Sequence, residues 1–311
     1  DEAIALEEGG DVIGSDSAFA TLAALLKYGD ELEQSIEMFE QLTRDADPSS
    51  IPYALGHLPQ LYLWTGQWDT AESVAQQHRQ LSEETGQSSQ VEAAEFNLAL
   101  IAAFRGRYDS ALEMGETLRR RGAEQGVPWT ERLGVALLGF VAGCRDELDL
   151  AVTHFDRYDA LGQEMRLHEP GYHRFLGDHA EGLVRLGRID EARALLDRFD
   201  ALATRVARRS ALSAVERGRA LCALHESRSH DAIGHARRAV ELLDGTALVY
   251  DRARATLVLG SVARATGERS LARTALERAC SAFERMGARH FAIDNDRPLR
   301  VGLVAATASL I

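Results

Sequence analysis

With 311 residues, a formal net charge of -13 and 45% hydrophobic residues, the chain has room for two ordinary domains or one array of six to seven helix pairs. It is too acidic for a nucleic-acid surface spread over the whole molecule. Cys144, Cys222 and Cys280 are scattered, with neither a disulfide framework nor a metal-ligand spacing, so free buried thiols in a reducing, cytoplasmic setting are expected. No apolar run reaches membrane-spanning length, and the opening residues do not read as a signal peptide. Charge is uneven: residues 1–170 carry 12 Lys/Arg against 31 Asp/Glu, net -19, whereas 171–290 carry 21 against 15, net +6.

Taken in chain order, residues 1–8 resemble the end of a helix already under way, and glycines at 9, 10 and 14 mark a loop. Residues 1–16 are therefore read as a helical remnant and loop of a trimmed or excised segment. A first helix pair is expected at 17–28 and 32–44 around Gly29-Asp30, followed by a linker at 45–52 holding Pro48 and Pro52. Helical periodicity then pairs 53–65 with 69–84, 89–105 with 108–125, 129–144 with 148–167, and 172–186 with 189–206. It continues with 211–226 and 230–243, then 248–266 and 270–286. The array so defined runs over 17–290. Beyond it Pro298 interrupts any further helix, leaving 291–311 as a C-terminal cap or tail.

The interval between pairs is the main signal. Thr65-Gly66-Gln67-Trp68-Asp69-Thr70-Ala71 returns as Arg105-Gly106-Arg107-Tyr108-Asp109-Ser110-Ala111, as Leu186-Gly187-Arg188-Ile189-Asp190-Glu191-Ala192 and as Thr266-Gly267-Glu268-Arg269-Ser270-Leu271-Ala272. Degenerate copies at 146–151 and 227–232, the latter ending in Ala232, complete a period of about 40 residues. A residue able to reverse the chain, followed five positions later by a small alanine, suits two antiparallel helices that cross closely. The fold class expected is all-α: a right-handed superhelix of helix pairs, each burying its apolar face against the next.

Seven positions before each turn stands a small residue, Ala99, Gly139, Ala180, Ala220 or Gly260. With the turn glycine, the aromatic residue two after it and the subsequent alanine, this resembles the tetratricopeptide consensus, stretched from 34 to about 40 residues. The Arg/Ala-rich helices, ending in stretches such as Ala275 to Arg289, look like the repeat region of large ATP-binding transcriptional regulators of the LuxR family, the group related to the maltose regulator MalT. That resemblance implies a sensor or protein-binding segment flanked in its parent by an ATPase module and a helix-turn-helix domain. The sequence holds no phosphate-binding Gly-x-x-x-x-Gly-Lys-Ser/Thr loop, so this segment itself is expected neither to hydrolyse ATP nor to read DNA. The other reading is a constitutive protein-interaction scaffold of another signalling ATPase.

No catalytic constellation emerges. His154, His168, His173 and His179 lie off a common helix face, and no serine or cysteine is placed beside Asp178-His179, so no metal, cofactor or catalytic residue is assigned. The inner face of the superhelix is the candidate site. Alignment on the turns sends Tyr53, Gln60 and Trp64 inward from the first full repeat, and Phe96, Leu100 and Phe104 from the second. Phe140 comes from the third, then Arg174, Glu181, Arg185, Arg217 and Arg254 from the later ones. The expected groove is aromatic at one end and arginine-bearing at the other, suited to a small amphipathic or anionic ligand or a peptide. Trp129 is read as a helix-end packing residue. Opposite charge in the two halves and uncapped array ends lead to the expectation of a homodimer.

Overall fold

The computed structural model describes residues 14–288, which fold as a tetratricopeptide-like right-handed superhelix of antiparallel helix pairs. Fourteen α-helices and no β-strand occur among the described residues. The first six are α1 (Ala18–Tyr28), α2 (Leu32–Asp45), α3 (Ile51–Trp64), α4 (Trp68–Glu84), α5 (Ser88–Phe104) and α6 (Tyr108–Gln125). Then come α7 (Pro128–Cys144), α8 (Leu148–Glu164), α9 (Leu176–Arg185) and α10 (Ile189–Arg205), and finally α11 (Arg209–His225), α12 (Ser229–Glu241), α13 (Val249–Ala265) and α14 (Arg269–Arg285). The expected helical remnant and the expected C-terminal cap or tail fall in 1–13 and 289–311, outside the described residues.

Local chemistry sets the helix ends. The Ser17 hydroxyl caps α1 by accepting from the Ala20 N–H at 3.1 Å. Pro52 and Pro128 occupy first-turn positions of α3 and α7, where a missing N–H costs nothing. At the turn inside each pair the chain enters the left-handed region: Asp30, Gly66, Gly106, Asp146, Gly187, Ser227 and Gly267 all have φ between 59° and 84°. At Gly106 the closing bonds are Arg107 N–H to Ala102 O at 2.8 Å and Gly106 N–H to Ala103 O at 3.0 Å. This pair of hydrogen bonds back into the last turn satisfies carbonyls that the helix leaves open, and it recurs at 67, 147, 188, 228 and 268. A second set of positive-φ residues, Gly86, Gly126, Arg166, Ala207 and Gly245, makes the turns between pairs, and Gly287 has the same conformation after α14.

Small residues in each pair decide how closely the helices approach. Ala71, Ala111, Ala151, Ala192 and Ala232 are fully buried, and Ala272 nearly so. Opposite them, large side chains of second helices press onto the small position of the first helices. A Cβ on Gly139 would stand 2.8 Å from the Phe155 ring, and one on Gly260 2.7 Å from Leu276. Around Gly134 the backbones of α6 and α7 nearly touch, since a Cβ there would meet Arg119 N at 2.3 Å. Between repeats an arginine near each turn reaches back to an acid in the pair before it: Arg105 to Asp69, Arg145 to Asp109 and Arg185 to Asp146. The acids stay open to solvent while the Arg185 side chain is buried; screened on the acid side, such pairs contribute little stability and serve mainly to hold the register.

One stretch departs from the periodic reading. Helix α8 ends at Glu164, and the expected helix over 172–186 begins only at Leu176, after a single 3₁₀ turn at Pro170–Tyr172. The Tyr172 carbonyl accepts from Arg132 Nη1 at 2.9 Å and from the Tyr158 hydroxyl at 2.8 Å. Side chains thus claim a carbonyl that a helix would have needed, and the loop is drawn inward.

The array also closes on itself. Helix α3 touches α13, and a Cβ on Gly66 would lie 3.2 Å from both Val249 and Met286. Tyr250 meets Phe104 at 4.6 Å between ring centroids and Trp68 at 6.3 Å. From the other side the α1–α2 turn reaches the loop at 165–175 between α8 and α9, the repeat-four loop, and the start of α11: Tyr28 packs on Tyr172 at 4.2 Å, and Asp30 accepts from the Ser210 N–H at 2.8 Å. Among the described residues the groove is consequently bounded by the α1–α2 turn on one side and by α13 on the other.

Backbone strain and close crossings each make one position testable. Ala207 holds φ 52° without the freedom of glycine, so Ala207→Gly should raise unfolding stability by about 1 kcal/mol in chemical denaturation. Ala111→Leu should lower it by roughly 1–3 kcal/mol through overpacking at the α5–α6 crossing; an unchanged melt would show that the crossing tolerates bulk.

Candidate functional site

The inner surface holds a cavity of about 110 Å³. Its apolar wall comes from α3, α5 and α7 through Trp64, Phe96, Leu100, Phe104, Leu133 and Phe140, with Gln60 at the α3 edge. Tyr250, Asp251 and Arg254 of α13 close one side, and Tyr28, Tyr172, Arg174, Phe175 and Asp178 close the other. Eight of the residues expected in the groove therefore share one space: Gln60, Trp64, Phe96, Leu100, Phe104, Phe140, Arg174 and Arg254. Phe104 stacks on Phe140 with centroids 4.8 Å apart, so part of the aromatic surface is spent on the wall itself.

Four expected residues do not form that wall. Tyr53 packs instead between Phe39 and His57, at 6.2 and 4.8 Å. Arg185, its side chain buried, runs along the array to pair with Asp146. Glu181 and Arg217 are buried behind the wall, bonded to each other at 2.6 Å. Trp129, read as a packing residue, lines the cavity: it is 39% exposed and stands edge-on to Tyr172. Tyr250, Tyr172 and Asp251 also line the cavity, and the ring closure that brings them inward has no local signature in the sequence.

The arginine end differs in character from the expectation. Arg174 lies over the Trp64 ring at 3.8 Å, with Nη1 3.1 Å from Asp251 and Nη2 3.7 Å from Asp30. Arg254 donates to Asp178 at 3.0 Å and to Glu181 at 3.0 Å, and Arg217 shares Glu181. Nearby carboxylates hold the Arg254 guanidinium well above its ordinary pKa against the opposing effect of burial, whereas burial and the Arg254 charge lower that of Arg217. Three guanidinium groups are thus neutralised within the fold by Asp30, Asp178, Glu181 and Asp251. They are not free cations awaiting an anion.

Arg132 also stands at the wall. Its Nε donates to Tyr158 O, Nη1 to Tyr172 O and Nη2 to His173 Nδ1, while its plane lies 3.7 Å from the Tyr158 ring. His173 Nε2 faces the Leu167 carbonyl at 3.0 Å and must carry the proton there, which leaves Nδ1 as the acceptor for Arg132. These bonds fix the repeat-four loop that supplies Tyr172 and Arg174.

Behind Trp64 sits Lys27, the only lysine in the sequence. It is 1% exposed, and its Nζ donates to His57 Nδ1 at 3.1 Å. Burial, and then the Arg174 charge, lower its pKa to about 7, and burial followed by Lys27 itself holds His57 well below the usual imidazole range. An unfolded lysine keeps its proton up to about pH 10, so between about 7 and 10 the unfolded chain binds more protons than the folded one. Lys27 should accordingly make stability rise with pH across that window, with its penalty in full below about 7. Denaturation profiles of Lys27→Met should show higher stability at pH 6 and a flatter slope from 7 to 10; a parallel slope would mean that the buried amine does not titrate there.

No protein-family model and no curated protein matches the sequence. Solved structures match the fold. A Rap protein complexed with Competence and Sporulation Factor superposes with a TM-score of 0.70 at 12% identity, covering 86% of this chain and 74% of that one. Aspartyl phosphate phosphatase F from Bacillus subtilis gives 0.62 at 16% identity over 94% and 77%, and the apo form of RapI gives 0.61 at 12% over 86% and 97%. Likeness at this identity concerns architecture: the chain has the tetratricopeptide-like helical-repeat fold that these structures share.

Proposed function

We propose that the array is a non-catalytic receptor segment that binds a peptide or a small amphipathic ligand in its central cavity and passes occupancy on as a change of curvature. The observation that carries this reading is the composition of the cavity wall: α3 and α13, from the first and last full repeats, both contribute to it. A ligand seated there touches both ends of the superhelix and so shifts the balance between tighter and more open curvature by its different affinity for each. Apolar contact with Trp64, Phe96 and Leu100 would provide most of the binding energy. Support also comes from the fold, since a Rap protein of the same architecture has been solved in complex with a factor.

In the wider setting we propose, the array is the cytoplasmic sensor segment of a LuxR-type transcriptional regulator, acting on attached domains and self-associating as a homodimer. A constitutive scaffold would need no such cavity, and its aromatic lining by Trp64, Phe96, Phe104 and Phe140 supports a ligand-binding role. Among the described residues no helix is long and apolar enough to cross a membrane.

The test is selection of displayed peptides of about 5–12 residues on the array, followed by calorimetry and small-angle scattering. Selected peptides should bind one per chain, alter the scattering curve, and lose affinity about tenfold for Phe96→Ala or Leu100→Ala, as expected for a contact in the centre of a site. Equal affinity for both variants, in proteins with native circular dichroism, would move the site elsewhere.

A further inference from the structure

Because the array repeats, one helix pair can be compared with another position by position. In the α7–α8 pair, Glu131 stands fifteen residues before the turn residue Asp146, Arg157 eleven after it and Glu164 eighteen after it. Arg157 is held between the two acids: Nε lies 2.8 Å from Glu131 Oε1, Nη2 3.0 Å from Glu131 Oε2 and Nη1 2.9 Å from Glu164 Oε1. At the same three offsets from Gly267, the α13–α14 pair carries Arg252, Arg278 and Arg285. The central arginine is kept, and both flanking acids have become arginines.

The three side chains line one cleft of about 630 Å³ between α12 and α14, floored by α13. Arg252 is half-buried, and Arg278 and Arg285 are exposed. Among the described residues none of the three side chains makes an ion pair or a hydrogen bond; Asp244 and Glu277 also line the cleft but pair with none of them. The corresponding groove between α10 and α12 is bridged instead, since Arg219 of α11 reaches Asp200 at 2.9 Å and His235 Nδ1 lies 2.7 Å from Glu216. Helix length helps to open the cleft: α12 has 13 residues where α6, at the equivalent place, has 18, so the start of α13 lacks the last turn that α6 sets beside α7.

Like charges gathered in one cleft repel, and carboxylates placed among them relieve the repulsion through charge-assisted hydrogen bonds. The floor restricts what carries those carboxylates. Val249, Ala253, Leu271, Ala275 and Ala282 make it apolar, and a free oxyanion would leave that surface uncovered. A nucleic-acid backbone would run its charge along a molecule whose own net charge is -13. We propose that the α12–α14 cleft docks an acidic amphipathic segment of a partner protein, its apolar side chains on the floor and two carboxylates bridging Arg252 to Arg278 and Arg278 to Arg285. The cleft is separate from the central cavity: α13 gives Tyr250, Asp251 and Arg254 to the cavity and Arg252 and Thr256 to the cleft, and the two share no lining residue.

The probes are a capped, fluorescein-labelled peptide with leucine and glutamate at helical spacing and the same peptide with glutamine for glutamate. Both are titrated by fluorescence anisotropy against the full chain and against Arg252→Glu combined with Arg285→Glu, which restores the acids of the α7–α8 pair. Arg252→Gln with Arg285→Gln gives the same comparison if charge reversal disturbs folding, as judged by circular dichroism. The glutamate peptide should bind about tenfold more tightly than the glutamine peptide, lose that advantage in either double variant, and weaken as sodium chloride is raised from about 50 to 300 mM. No binding of the glutamate peptide, equal affinity of the two peptides, or an advantage that survives in the variants overturns the proposal. A single-stranded oligonucleotide that binds more tightly than the peptide and is lost in the variants assigns the cleft to phosphates and also overturns it. Two measurements without peptide test the remaining occupants. Sedimentation in which the full chain self-associates and the variants do not assigns the cleft to a second copy, and chymotryptic cleavage within 289–311 that accelerates in the variants assigns it to the chain's own segment; either result overturns docking of a partner.

Discussion

Contact between α3 and α13 determines what kind of object this repeat array is. A stack of helix pairs can end anywhere, because each pair needs only its neighbours to bury its apolar face. Here the curvature brings the turn after α3 against Val249 and Met286, and sets Tyr250 among Trp68, Phe104 and Phe283. An open concave surface thereby becomes a bounded cavity. The small residues at each crossing are what make this possible, since the angles between and within pairs are fixed by how closely α6 and α7, and α13 and α14, respectively, can approach. Adding bulk at one crossing would be felt at a contact nearly two hundred residues away along the chain.

Fold information is unevenly distributed along the sequence, and the reason is physical. Gly66, Gly106, Gly187 and Gly267 stand out because a left-handed turn residue strongly favours glycine, and the buried alanine five positions on repeats with them. Asp146 and Ser227 fill the same role at φ 69° and 59°, carried by aspartate and serine, which makes those copies look degenerate although their turns are equivalent. Boundaries failed only where side chains displaced a helix: nothing near Tyr172 announces that Arg132, forty residues earlier, will take its carbonyl.

The site was legible as an aromatic stripe and illegible as an electrostatic environment. Trp64, Phe96, Phe104 and Phe140 emerge from helical spacing and the turn register, so their convergence could be read locally. The partners of Arg174 and Arg254 could not, because Asp251 is 77 residues from Arg174 and Asp178 is 76 from Arg254. Sequence displays the arginines as a basic patch; the superhelix folds acids from other repeats onto them. Trp129 misleads in the opposite direction, since a residue at a helix start resembles end packing until the repeat-four loop brings Tyr172 against it.

The buried charge cluster has a structural consequence beyond the ligand. Four-membered ionic clusters such as Asp178, Glu181, Arg217 and Arg254 carry a large desolvation cost and add little net stability over an apolar core, yet removing one member is severe. Their geometry admits few alternatives: Arg254 satisfies Asp178 and Glu181 only when α13 lies at one height against α9, and Arg217 fixes α11 to the same carboxylate. Apolar surfaces of neighbouring repeats would tolerate a small slide, because leucine and alanine contacts are exchangeable. The cluster removes that freedom at the cavity wall, and therefore fixes the register of α9, α11 and α13 there. A ligand bound as proposed would therefore meet a fixed α9–α13 register on this side of the cavity.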